Sequence, residues 1–308
     1  MKQQAFSVVS QVDQLTLSGL IAQPDGEARG LVQIAHGMAE HKERYLGFIE
    51  QLTKAGYAVL IADHRGHGKS LHAQDSYGWF GEGGAEALVE DMHQLTRFFK
   101  ERFPGKPLML FGHSMGSLAV RVYAKKYDGE LAALVVCGCP SENPAAGMGL
   151  FLTKLLGRIQ GPKHKSAFMD KLMFSGNAKR FPNEKSAFAW LNSDAKGVAA
   201  YERDPECGFL FTLNGYQALL TLMKDCYRVK GYGVQKPEMP ILFVSGGDDP
   251  CMIDRESLER AAQKLRDAGY KRVSVKVYDH LRHEILLEPA SGQVMRDVMD
   301  FLDDSIPR

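Results

Sequence analysis

The chain has no long apolar run and no block of one charge. None of its apolar stretches approaches the ~20 residues that a bilayer-crossing helix needs, and Met1-Lys2-Gln3-Gln4 leads into an alternating segment instead of the apolar core of a signal sequence. Membrane spanning and secretion are therefore not expected, and a cytoplasmic setting is. Lys and Arg, 38 in all, nearly balance 37 Asp and Glu, and without a basic run the chain carries no electrostatic footprint for nucleic acid. Cysteine is scarce: Cys137, Cys139, Cys207, Cys226 and Cys251 form an odd, scattered set without a Cys-x-x-Cys pair. That argues against a disulfide framework or a structural zinc site. Internal repeats and low-complexity segments are missing too. What remains, 44% hydrophobic and 24% charged over 308 residues, suits one large α/β domain or a domain carrying an insertion.

Two N-terminal stretches, 6–9 and 15–22, read as an antiparallel strand pair. Beyond them, short apolar and often β-branched runs at 31–35, 58–62, 108–111, 132–137, 241–245 and 273–278 suit strands buried on both faces. Helical patterns occur at 45–55, 85–102, 117–127, 254–268 and 289–301. This alternation predicts an α/β fold with a mostly parallel sheet. Residues 141–236 break the rhythm with helical patterns and no strand, which predicts a helical cap inserted into a core of 1–140 and 237–308. Met148, Phe151, Leu152, Leu155, Leu156 and Ile159 recur at helical spacing there, as do Tyr216, Leu219, Leu220, Met223 and Tyr227. Most of these side chains are expected to pack the cap onto the core. Some of the Met and aromatic residues are expected to line a tunnel for an apolar ligand.

Gly112-His113-Ser114-Met115-Gly116 falls between the apolar run 108–111 and the helical stretch 117–127. A serine exposed on a strand-to-helix turn needs residues without bulk two before and two after it, and both are glycine. The following helix start aims N–H groups at the reacting oxygen. Alone, the pattern is also what a Gly-rich turn would show. A serine nucleophile needs a histidine base and a carboxylate to orient it, and on such a sheet these follow in the order acid, then histidine. Only His164, His280 and His283 follow Ser114. His164, between Lys163 and Lys165, reads as solvated; His283, ending its loop before a helix-like stretch, is better placed than His280. For the acid, Asp249 of Ser245-Gly246-Gly247-Asp248-Asp249-Pro250 is favoured because the proline holds it extended, with Asp248 and Glu142 as alternatives. His36-Gly37-Met38, after the run 31–35, supplies a second oxyanion donor, so the backbone amides of Met38 and Met115 are the candidate pair.

Two competing motifs fail. Gly68-Lys69-Ser70 has Asp63 where a phosphate loop requires glycine, and His280-Leu281-Arg282-His283-Glu284 matches neither ordering of the zinc-protease motifs. No metal or cofactor is expected. Four segments taken together are His36-Gly37-Met38-Ala39-Glu40-His41 with Arg44-Tyr45, Asp63-His64-Arg65-Gly66-His67-Gly68-Lys69-Ser70, Gly112-His113-Ser114-Met115-Gly116, and Arg282-His283-Glu284. The chain carrying them resembles the monoacylglycerol lipase and lysophospholipase-like branch of the α/β-hydrolase superfamily, often grouped with serine aminopeptidase-like hydrolases. The resemblance spans nearly the whole chain, strongly in the core and more weakly across the cap. It implies an α/β-hydrolase fold: eight mostly parallel strands flanked by helices, with an inserted helical cap. It also implies Ser114, Asp249 and His283 as a triad, with Met38 and Met115 as oxyanion donors. The expected activity is a serine hydrolase cleaving carboxylic esters of medium or long acyl chains, monoacylglycerol or lysophospholipid first. A carboxylesterase, thioesterase or aminopeptidase on a soluble substrate is the alternative, and a non-catalytic binding protein on the same fold is the remote one. The expected partner is a small-molecule ester or lipid, with transient membrane-surface contact through the cap and no nucleic acid. Chain length and head group do not transfer with the resemblance.

Overall fold

The strands of this computed structural model, which describes residues 2–73 and 76–306, are β1 (Lys2–Val9), β2 (Thr16–Gln23), β3 (Gly30–Ala35), β4 (Tyr57–Ala62), β5 (Leu108–His113), β6 (Ala133–Cys137), β7 (Ile241–Gly246) and β8 (Val273–Tyr278). They form one sheet in the order β1-β2-β4-β3-β5-β6-β7-β8. β1–β2 and β2–β4 pair antiparallel, and every other pairing is parallel. The helices are α1 (Leu46–Lys54), α2 (Gly84–Arg102), α3 (Met115–Tyr127), α4 (Ala146–Gln160), α5 (Ala167–Lys179), α6 (Ala195–Arg203), α7 (Leu213–Tyr227), α8 (Arg255–Ala268) and α9 (Ser291–Asp303). Among the described residues, no helix is long and apolar enough to cross a membrane.

Strand side chains alternate between two cores, as the pleat requires. Leu31, Leu108 and Leu110 join Leu88, Leu118 and Leu258 of α2, α3 and α8 on one face, while Val32, Met109 and Phe111 join Ile49 and Val298 of α1 and α9 on the other. Every residue of β3 to β7 is accordingly buried. The run 273–278, expected to be buried on both faces, behaves differently. β8 is an edge strand paired only with β7, and its Ser274 and Lys276 are exposed, so only alternate positions turn inward.

The chain places β4 on one side of β3 and β5 on the other, so the loops leaving β3 and β5 lie side by side at a reversal of strand order, with Ala35 paired to Gly112. Open α/β sheets bind ligands in the crevice that such a reversal leaves at the carboxyl ends of strands. The loops after β7 and β8 open on the same end.

Helices α4 to α7 lie between β6 and β7. The buried face of α7 is the one its spacing predicts: Tyr216, Leu219, Leu220 and Tyr227 are buried and Met223 half-buried. α4 departs from expectation. Leu150, Leu152 and Leu156 pack inward, and Gly149 lets α4 approach Leu220 of α7, but Met148, Phe151, Leu155 and Ile159 form a separate stripe facing outward. Its apolar residues cover more than one packing face can absorb, and Phe151 and Ile159 keep 63% and 73% of their surface exposed.

Candidate active site

Ser114 sits at the junction of β5 and α3 with φ 53° and ψ −116°, a left-handed backbone that a side-chain-bearing residue adopts only under constraint. The constraint is close packing. A Cβ on Gly112 would lie 2.4 Å from the Gly116 carbonyl oxygen, and one on Gly116 would lie 2.1 Å from that of Ala35. Two chain segments meet there at a distance only glycine permits, and the serine between them stays partly accessible while its neighbours are buried.

Three sequence-predicted residues converge. The Ser114 hydroxyl lies 2.8 Å from His283 Nε2, and His283 Nδ1 lies 2.9 Å from Asp249 Oδ2. Asp249 and His283 are both buried. Burial alone would raise the Asp249 pKa, but the charge and hydrogen bond of His283 and the Cys251 N–H, which donates to Oδ1 at 2.8 Å, hold it below the usual carboxylate value. Ser245 Oγ donates to Asp249 Oδ2 at 3.2 Å. The alternatives lie elsewhere. Asp248 is exposed, Glu142 pairs with Lys264 at 3.2 Å, His164 is exposed, and His280 is exposed in a left-handed turn (φ 63°).

Met38 and Met115 carry the two candidate oxyanion amides. Among the described residues neither Met38 N–H nor Met115 N–H has an acceptor. Both neighbours of Met38 are engaged: Gly37 N–H donates to Glu40 Oε1 and Ala39 N–H to His67 Nε2 at 3.2 Å. Sequence reasoning did not select these supports. It also passed over Trp190, whose ring lies 5.0 Å from that of His283 and whose carbonyl accepts the His283 N–H at 3.4 Å. Only the fold brings Trp190 to the histidine, so no local signal marked it.

Among the described residues, two groups have metal-ligand chemistry: Asp249, Cys251 and His283, and a set around His41 with Glu43, Asp204, Glu206 and Cys207. In the first, His283 is already hydrogen-bonded at both nitrogens, and burial pushes the Cys251 thiol well above its ordinary pKa. In the second, His41 faces Glu43 at 2.7 Å and Asp204 at 2.9 Å. Burial opposes its charge, yet the two carboxylates raise its pKa, which suits an imidazolium.

A serine on a strained strand-to-helix turn, next to a buried histidine and carboxylate on neighbouring strand ends, defines a serine hydrolase of the α/β-hydrolase fold. The comparisons with known proteins agree. The chain belongs to the serine aminopeptidase S33 family, which it matches over residues 26–290. It is 30% identical to a monoacylglycerol lipase of Mycolicibacterium smegmatis over 91% of this chain and 90% of that one. A probable lysophospholipase L2 of Haemophilus influenzae is 24% identical over 92% of this chain and 87% of that one. The crystal structure of a thermostable carboxyl esterase from Bacillus coagulans superposes over 100% of both chains with a TM-score of 0.90 at 28% identity.

Proposed function

We propose that Ser114, His283 and Asp249 are a catalytic triad. The protein hydrolyses carboxylic esters of medium or long acyl chains, monoacylglycerol or lysophospholipid first, through an acyl-enzyme on Ser114. The observation that carries this reading is the hydrogen-bond chain from Ser114 through His283 to Asp249. Ser114 Oγ attacks the ester carbonyl carbon as its proton passes to His283 Nε2, and Asp249 stabilises the imidazolium. The Met38 and Met115 amides hold the tetrahedral oxyanion; one such donor contributes about 10²- to 10³-fold in kcat. His283 gives its proton to the departing alcohol oxygen as the acyl–oxygen bond breaks. Water, deprotonated by the same nitrogen, then releases the acid.

The names of the two lipid-hydrolase relatives support the substrate class. Residues 141–236 act as a lid over a core of 1–140 and 237–308, and half-buried Leu150, Leu156, Met173, Phe174, Phe209 and Met223 give the lid an apolar interior suited to an acyl chain. All eight carboxylates of that segment have a hydrogen-bond or ion-pair partner within it or on the core. The lid also supports transient contact with an anionic lipid surface. It has fourteen Lys and Arg against eight Asp and Glu, and its helices expose Met148, Phe151, Leu155, Ile159, Phe168 and Leu172. A cytoplasmic enzyme reaching lipid from the aqueous side fits these features.

Labelling with a fluorophosphonate probe tests the nucleophile: the native protein labels and Ser114→Ala does not, and equal labelling of both would defeat the reading. A panel of p-nitrophenyl esters, monoacylglycerols, lysophospholipids and aminoacyl anilides tests the substrate, with anilide turnover above ester turnover favouring the aminopeptidase alternative. Flotation with anionic vesicles tests the lid contact, and protein left wholly at the bottom of the gradient would exclude it.

A further inference from the structure

Three of the four chain segments that supply the proposed catalytic groups, all but the Asp249 loop, have an ionisable residue buried in one cluster. Glu40 lies two residues past Met38, His113 immediately precedes Ser114, and Glu284 immediately follows His283. Arg44, in the helical turn at Lys42–Tyr45, joins two of them. Its fork grips Glu284 in two bonds, Nη1 to Oε1 at 2.5 Å and Nη2 to Oε2 at 2.8 Å, and Nη1 also donates to Glu40 Oε2 at 2.7 Å. Glu40 Oε1 accepts the Gly37 N–H and the Tyr45 hydroxyl, the latter at 2.9 Å, and faces His113 Nδ1 at 3.4 Å. His113 Nε2 donates to the His283 carbonyl at 3.2 Å.

The charges balance, two carboxylates against a guanidinium and an imidazole with acceptors at both nitrogens. Burial opposes charge on His113, but Glu40 and Glu284 raise its pKa. Burial likewise opposes ionisation of Glu40, yet the His113 hydrogen bond and Arg44 hold its pKa well below the ordinary value. A buried charge cluster of this kind is a poor source of stability, because apolar residues of equal volume would commonly serve the fold as well. Its position is the informative feature. The oxyanion loop, the serine turn and the histidine loop share no strand, and the cluster ties all three by hydrogen bonds of 2.5 to 3.4 Å. It also fixes the Gly37 amide, so together with His67 on Ala39 it brackets the Met38 N–H, which has no acceptor among the described residues.

We propose that Glu40, Arg44, His113 and Glu284 form a positioning cluster that holds the Met38 oxyanion amide in register with Ser114 and His283, with the Arg44–Glu284 fork as its link between loops. This rests on the triad and oxyanion reading above. The test compares Arg44→Met, Glu284→Gln and the double variant on a medium-chain p-nitrophenyl ester, with competent sites counted by fluorophosphonate titration. Each single variant lowers kcat per titrated site about 10- to 100-fold with KM within about twofold, and the double variant loses no more than the worse single one. The inhibition constant of an alkyl boronic acid, which mimics the tetrahedral oxyanion, rises in step with the loss in kcat, while that of a non-hydrolysable ether analogue stays level. Where Arg44→Met fails to fold, Arg44→Lys keeps the charge, breaks the fork and shows the same kcat-selective loss to a smaller extent. Lowered thermal stability with unchanged kcat per titrated site and unchanged boronate affinity would reduce the cluster to a structural role. Failure of the native protein to label at Ser114 would instead remove the triad reading, and this proposal with it.

Discussion

Asp248 and Asp249 are adjacent residues of one chemistry in opposite surroundings. Asp249 is sealed from solvent and accepts three hydrogen bonds, from His283, Ser245 and Cys251, whereas Asp248 faces water and its backbone N–H donates to the Leu281 carbonyl. A carboxylate that orients a histidine must be desolvated and aimed, and only one of the two is. Asp249→Asn is therefore expected to lower kcat about 10³- to 10⁴-fold, through loss of the histidine tautomer, while Asp248→Asn stays within about twofold of the parent. Steady-state kinetics on a p-nitrophenyl ester decides it, and comparable losses in the two variants would reject Asp249. The two histidines divide in the same way. His280→Asn retains activity, since Asn tolerates the left-handed backbone there, and His283→Asn loses it.

At the scale of elements, the turn between β5 and α3 and the outer stripe of α4 make contrasting demands. The turn has no spare volume. Gly116→Ala would force its Cβ against the Ala35 carbonyl and separate β3 from α3, an overpacking cost of about 3 kcal/mol. Urea unfolding reads that loss directly, and a midpoint unchanged from the parent would show that the turn relaxes without strain. The α4 stripe carries no such load. Phe151→Ser with Ile159→Ser removes side chains that already face water, so Tm moves by less than about 2 °C. Vesicle flotation should nevertheless fall sharply. A large drop in Tm would mean that the stripe packs against the protein in solution.

For the molecule as a whole, acid stability follows from three histidines enclosed around the oxyanion loop. Burial, reinforced by repulsion from His67, lowers His64 to about 3, burial lowers His67 to about 4, and burial with its two histidine neighbours holds His36 well below its ordinary value. The unfolded chain takes these protons near pH 6.5 and the folded one only far lower, so between pH 6.5 and 4 the unfolded state binds more protons. Stability is lost as pH falls through that window, because each proton that the unfolded chain takes up and the folded one refuses favours unfolding. His41 and His113, raised in the fold, do not offset this, because both states are protonated below pH 6.5. Tm should decline steadily from pH 6.5 to pH 4.5, less steeply in His64→Asn; a flat profile would contradict neutral burial. The alternation of apolar runs and helical patterns, and the glycines around Ser114, were legible in the sequence because backbone periodicity and turn sterics are local. The residues paired with them were legible as favoured candidates, Asp249 by the proline after it and His283 by its place at the end of its loop, with Asp248, Glu142 and His280 as alternatives. The separation of those alternatives from the site, the edge exposure of β8, the outward stripe of α4 and the meeting of Arg44 with Glu284 across 240 residues needed tertiary structure. Burial, hydrogen-bond direction and the contact of distant loops depend on strand order, which no local stretch of chain encodes.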